Sequence, residues 1–371
     1  MRSIQSALSL AICLVWATTA SQPLQAAGLP AFGTLEIQIP GRKLEGTPVH
    51  WTANEVDLLG RDGRLTRFDP KAVASYRPLS ANFRPYSPSE FRACLLRELG
   101  KDYEVSGTAH YLIAHPRGQR DRWAERFEDL YRSFVHFFSV RGLELSAPAF
   151  PMVGIVCKDR REFIRQAATQ GALAAGVVGY YDLLSNRLTI YDMGGSGSAN
   201  WQQNAAVLIH EATHQTAFNS GVHSRYQPPP LWVAEGLAML FEAPGIYDPR
   251  NRPQISERIN RERLQVFQEL LAPRHRPEIL RDMIARDHLF ESNPSAAYAE
   301  AWALSFVLAE SEPQKYIQYL KRTASRRLEP YTAAERLAEF VAIFGDDWRM
   351  LEARLLRQMA SLKIPRQGQS R

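Results

Sequence analysis

The sequence predicts an α+β protein built in successive parts, and three observations predict it. Residues 34–78 alternate apolar and polar positions between turn signals, as short antiparallel strands do. Residues 89–191 switch repeatedly between strand-like and helix-like periods, a pattern that packs as a mixed β-sheet and helix layer. From Ala199 onward the periodicity is almost wholly helical. The expected division is a leader over 1–26, a small antiparallel β module over 27–80, and a larger domain over 81–365. That domain has an α/β part (81–198) and a helical part (199–365), and a polar tail follows at 366–371.

Composition agrees with this division. A chain of 371 residues suggests two domains or three. With 45% hydrophobic and 23% charged residues it is ordinary globular material, long enough to bury a core without staples. The net charge of +6, from 45 basic against 39 acidic residues, is too mild and too evenly spread for a nucleic-acid binder.

Residues 1–26 read as a secretory signal. Arg2 supplies the positive start, the stretch ALSLAICLVWA is apolar, and small residues allow cleavage after Ala26 or Ala20. The apolar run falls short of the ~18–20 residues a membrane span needs. Cys13 lacks a lipoprotein context, and no other stretch is apolar enough to cross a bilayer. The mature chain is therefore expected to be exported, periplasmic or extracellular, with no stable membrane insertion. Two cysteines remain, Cys94 and Cys157, which could pair in an oxidising compartment or stay as buried thiols.

In the β module, strands LEIQI, VHWTA, EVDLL and LTRF are separated by Pro40-Gly41 and by a tight hairpin at Asp62-Gly63. The Pro- and Ser-rich stretch 78–88 reads as a linker. Then come a helix over 89–99, a strand over 103–114 and an amphipathic helix over 120–141 with Trp123, Phe127, Leu130, Tyr131, Phe134 and Phe137 on one side. A strand over 152–157, a helix over 160–169 and a hairpin over 177–191 follow. Helices are predicted over 200–219, 231–242, 254–271, 276–286, 294–310, 312–324, 331–343 and 346–362. The Gly-Ser stretch 194–198 lacks the Gly-Lys-Ser/Thr of a phosphate loop and reads as a lead into the next helix.

That helix, with Asn200 as N-cap, Gln203 in capping-box position and Gly221 as stop, carries His210-Glu211-Ala212-Thr213-His214. Residues four apart lie one above the other, so both imidazoles point the same way, about 6 Å apart along the axis. Two ring nitrogens can then share one ion, with Glu211 between them as a base. This is the HExxH zinc motif. The apolar run AAVLI before it buries these polar groups, which is costly unless a cation pairs them. A catalytic zinc needs a third protein ligand. Glu235, in the apolar segment WVAEGLAMLFE that opens after Pro230, is again a carboxylate in a costly place.

These residues resemble the gluzincin (clan MA) zinc metallopeptidases. More narrowly, the chain resembles an uncharacterised family of exported bacterial proteins with a peptidase-like zinc domain. The shared features are GRKLEG, the hairpin GYYDLLSNRLTIYD, the HEATHQ helix, W-x-x-E-G-x-A and YAEAWALSFVL. The resemblance implies a zincin-like fold, one Zn2+ per chain held by His210, His214 and Glu235, and Glu211 as general base in hydrolysis of a peptide or protein substrate. It implies an oxyanion donor downstream, for which Tyr298 fits best and His223 and Tyr226 are the alternatives. By similarity, strand 187–192 is the edge strand that aligns the substrate. One departure is Met239, where many gluzincins place an acidic residue that orients a ligand histidine; Glu242 is the nearest substitute.

Two other readings compete. One is a zincin-fold binding or structural envelope protein with weak or no turnover, which the intact Glu211 argues against. The other is a zinc hydrolase acting on a non-peptide amide or on cell-wall peptide. No GxSxG elbow or reactive-cysteine context supports a serine or cysteine hydrolase.

Overall fold

In the computed structural model, residues 33–118, 123–169, 178–191, 198–252, 254–326 and 330–363 are described, without the side chains of 169, 198–204 and 255. The leader expected over 1–26, Cys13, Asp192, the stretch 194–197 and the tail lie outside the described residues, as do the side chains of Asn200 and Gln203. At 52% helix and 19% strand, the described residues form an α+β fold.

Five antiparallel strands form the first sheet. They are Thr34–Ile39 (β1), Arg42–Trp51 (β2), Val56–Gly60 (β3), Leu65–Phe68 (β4) and Ser75–Ser80 (β5), in the order β4-β3-β2-β1-β5. Strand β5 corrects the sequence reading, which began the linker at Pro78. All six of its residues are exposed, so it shows no apolar alternation. It is held by main-chain pairing to β1 and by Arg77, whose guanidinium grips Glu36 at 2.8 and 3.1 Å.

The helix Pro88–Leu99 (α1) leads into the second sheet. Its strands are Tyr103–Gly107 (β6), Tyr111–Pro116 (β7), Met152–Cys157 (β8), Gly179–Asp182 (β9) and Arg187–Tyr191 (β10), in the order β6-β7-β8-β10-β9. Residues 103–114 are thus a hairpin rather than one strand, turned where Thr108 N–H donates to Tyr111 O and Tyr111 N–H to Thr108 Oγ1. The pairs β7–β8 and β8–β10 are parallel and need crossovers, which helices Ala124–Ser139 (α2) and Arg160–Thr169 (α3) supply. The central strands are buried on both faces and read as continuous apolar runs, β8 being buried at every position. Phe91, Leu95 and Phe163 of α1 and α3 cover one face with Leu112, Val153 and Ile155. Phe127 of α2 and Leu208 and Ala212 of Ser198–Asn219 (α4) cover the other with Ile113, Val156 and Ile190.

The remainder is helical. It comprises Leu231–Phe241 (α5), Pro244–Tyr247 (α6), Arg261–Val266 (α7), Pro277–Ala285 (α8), His288–Ser292 (α9), Pro294–Ser311 (α10), Pro313–Ala324 (α11), Ala333–Phe344 (α12) and Trp348–Ser361 (α13). Helices α5 and α10 are apolar almost all round and form its centre. The helix expected over 254–271 is broken. Asn260 is extended, and its Oδ1 caps a new start by accepting Arg263 N–H at 3.2 Å. Cys94 and Cys157 are both free thiols. Among the described residues no helix is long and apolar enough to cross a membrane.

Candidate metal centre

The site is assembled on α4 and α5. Helix α4 is anchored by the far side of its own motif: buried Gln215 donates Nε2–H to Val153 O and Asn186 O, both at 3.0 Å, and Thr216 meets the Tyr111 hydroxyl at 3.1 Å. His210 and His214 then project towards α5. Gly236, beside Glu235, permits the close seat of α5 on α10. A Cβ there would come within 2.2 Å of Ser305 Oγ and 2.6 Å of Ala301 O.

His210 Nε2, His214 Nε2 and Glu235 Oε2 converge in a triangle. The two nitrogens are 3.1 Å apart, and Glu235 Oε2 lies 3.2 Å from His210 and 3.5 Å from His214. Tetrahedral zinc with ligand bonds of about 2.0–2.2 Å has ligand–ligand edges of about 3.3–3.6 Å. Glu235 Oε2 is buried and has no hydrogen-bond partner, as an atom meant for a cation would be. Side-chain exposures of 19, 11 and 16% leave the triad reachable from solvent. Burial works against a charge on His210, but Glu235 and Glu242 outweigh it and draw its pKa well above the usual imidazole value. Burial likewise opposes an ionised Glu235, yet His214 and His210 hold that carboxyl well below the usual range. The carboxylates thus favour positive charge between them, and these residues fit a divalent metal.

His210 is held from behind. Glu242 Oε1 lies 2.8 Å from its Nδ1, and Asn260 Nδ2 donates to Glu242 Oε2 at 2.6 Å and to Met239 O at 3.2 Å. Met239 itself is a buried core residue. Asn260 was not singled out in the sequence. Its one signal was an Asn opening Arg-Glu-Arg-Leu, a helix start inside an apparently continuous helix.

Glu211 Oε2 accepts the backbone N–H of Tyr181 at 2.7 Å, and burial raises its pKa. Tyr181 belongs to β9, and β9 is an edge strand of the second sheet. Strand β10, expected at the edge, lies inside the sheet, because the chain runs to the far edge first and the hairpin brings β10 back between β9 and β8. Gly179 lets β9 approach α4, since a Cβ would meet Val207 Cγ1 at 2.6 Å. The hairpin turn is locked to α4 through Asn186, whose side chain exchanges hydrogen bonds with Asn219 at 2.8 and 2.9 Å and accepts from the Tyr181 hydroxyl at 2.7 Å.

The alternative donors fall elsewhere. His223 lies on the loop between α4 and α5 and is fully buried. Its Nδ1 lies 3.0 Å from Val222 O, so that nitrogen carries the proton and Nε2 is left as an acceptor. Burial, with His214 adding to it, pushes its pKa down to about 3, so it does not become a donor by protonation. Tyr226 packs beside the cluster of Val49, Phe83 and Phe150 under the first sheet. Its neighbour Arg225 ties the same loop to Gly63 O at 2.8 Å and Leu183 O at 2.6 and 3.1 Å. Tyr298, on α10, is half-buried; burial and then the Glu235 and Glu211 charges push its hydroxyl up to about 12.

Two other features stand apart from the triad. His50, Glu55 and Asp57 cluster on the first sheet, but Arg67 already holds Asp57 at 2.8 and 3.1 Å. A cavity of about 680 Å³ lined by Leu130, Ser133, Ile209 and Tyr247 opens on the side of α4 turned away from His214.

Residues 204–330 match a family described as a protein of unknown function, DUF1570. No match was found among curated proteins. Among solved structures, the crystal structure of an M1 zinc metallopeptidase from Deinococcus radiodurans, determined as a glutamate-to-alanine mutant, is similar at 14% identity with a TM-score of 0.40. The similarity covers 73% of this chain and 53% of that one, so this chain spans about half its length.

Proposed function

We propose that the protein is an exported zinc-dependent peptidase. The observation that carries this reading is the triangle of His210, His214 and Glu235, with Glu211 beside it and a sheet edge above. Bound there, zinc would supply Lewis-acid chemistry, acidifying water and polarising a carbonyl. Glu211, held at Oε2 by the Tyr181 amide, keeps a second oxygen to take the proton from the attacking water and pass it to the leaving amine. Tyr298 stays protonated at working pH and donates to the oxygen on which charge develops. Strand β9 offers main-chain groups to an extended peptide, a role that edge strands commonly fill. The leader-like residues 1–26 support an activity outside the cytoplasm.

Metal analysis of the purified mature chain, beside His214→Ala and Glu211→Gln, tests the reading. One zinc per chain is expected in the parent and in Glu211→Gln, with loss in His214→Ala and no peptide hydrolysis by Glu211→Gln. A well-folded parent without zinc would overturn the metal centre. Zinc without hydrolysis of any peptide in a library would leave a binding protein.

A further inference from the structure

The Asn260 cap that supports Glu242 also places a cation. Arg263 N–H is the group Asn260 Oδ1 accepts, so the cap fixes where Arg263 leaves α7. Its guanidinium carbon lies 5.9 Å from the centre of the Tyr298 ring. The side chain is only 21% exposed, and Nε is buried with no hydrogen-bond partner. Among the described residues its ion-pair partner is Glu262 at 3.3 Å, which is 76% exposed and therefore holds it weakly. Other sunken arginines are spent: Arg225 on backbone carbonyls, and Arg187 on Glu98 at 2.6 and 2.9 Å.

The charges near Tyr298 give this cation a use. The carboxyl groups of Glu211, Glu235 and Glu242 already gather at the site. A substrate carboxylate would be repelled there unless a cation received it, and Arg263 is the cation that borders Tyr298.

We propose that Arg263 recognises a carboxylate of the substrate, either a free C-terminus or an acidic side chain next to the scissile bond. This rests on the peptidase reading above. The fork geometry of a guanidinium suits a carboxylate, and in a partly dry site such a charge-assisted bond gives selectivity of about tenfold or more.

Calorimetry on zinc-loaded protein tests it with three hydroxamates: hydroxamate-capped succinyl-leucine as the free acid, its leucinamide twin, and the glutamic acid α-amide. The parent should bind one of the two carboxylate ligands about tenfold more tightly than the leucinamide, and which one identifies the source. Arg263→Gln should abolish that preference while changing leucinamide affinity less than threefold, and Arg263→Lys should restore part of it. No preference in the parent, or equal weakening of all three ligands in Arg263→Gln, would overturn the assignment. If the leucinamide fails to bind zinc-loaded parent at all, the peptidase site itself falls, and this inference with it.

Discussion

Glu242 and His210 meet at 2.8 Å between Oε1 and Nδ1, joining the end of α5 to the middle of α4. An ionised carboxylate can only accept, so Nδ1 keeps its proton and Nε2, which faces His214 and Glu235, is the nitrogen left to give up its proton to a metal. The contact thereby selects the tautomer a metal requires. Glu242 sits three positions beyond Met239, nearly one helical turn, and reaches the same imidazole because Asn260 grips its other oxygen at 2.6 Å.

Replacing Glu242 with Ala should lower zinc affinity by about 10–100-fold, the usual cost of losing such a partner. Asn260→Ala should do the same to a smaller degree, since it frees Glu242 without removing it. Competition with a chromogenic chelator reads both. Unchanged affinity in Glu242→Ala would make the contact incidental.

Much of this arrangement was legible in the sequence, and what was not has physical reasons. Helical spacing predicted that His210 and His214 would face one way, and the apolar run of 152–157 marked β8 to the residue. Strand β5 was hidden because it packs no apolar face. The break at Asn260 was hidden because Leu264 and Phe267 continue an apolar period across it while the side chain alone does the capping. The position of β10 inside the sheet was illegible in principle, since a hairpin sequence does not state which strand lies outermost. His223 does lie on the loop between α4 and α5, but it is buried because Gly221, at φ +86°, turns the chain back into the interior.

Gly236→Ala tests how the glutamate is placed. The added methyl would sit 2.6 Å from a helix backbone oxygen that cannot swing aside, so α5 must shift. We expect a loss of about 1–3 kcal/mol in urea unfolding, together with weaker zinc binding. Weaker binding follows because the adjacent Glu235 moves with the helix. Parent-like values for both would mean the contact between α5 and α10 is slack.

Tyr298→Phe should lower turnover by about 10²-fold, as removal of one oxyanion donor does. Zinc content should stay at one per chain, because the hydroxyl holds no ligand. Parent-like turnover on the same peptide would remove Tyr298 from the reaction.

Asn186 adopts φ +59°, where a Cβ is strained, and its side chain also bridges Asn219 and the Tyr181 hydroxyl. Asn186→Ala and Asn186→Gly both lose the bridge, but only Ala keeps the strain. The glycine variant should therefore be more stable than the alanine variant by about 1 kcal/mol, as read by urea unfolding. Equal stability would show that the turn relaxes out of the left-handed region.

His275 stabilises the helical part in a pH-dependent way. Its side chain is shut off from solvent, with Nε2 at 2.7 Å from Glu300 and Nδ1 at 2.9 Å from Glu352, and so links α10 to α13. Burial opposes its charge, but the two carboxylates outweigh burial and raise its pKa. A raised histidine pKa gives stability that is complete below the unfolded value of about 6.5 and is lost as pH climbs through the folded value. The parent should therefore lose stability from about pH 6.5 upward relative to His275→Gln, whose curve lacks this component. At pH 6 the variant should be less stable by about 3 kcal/mol, the cost of breaking a buried ion pair. Thermal unfolding of both proteins at several pH values checks the sign. Parallel curves would mean that His275 is held neutral between its two glutamates.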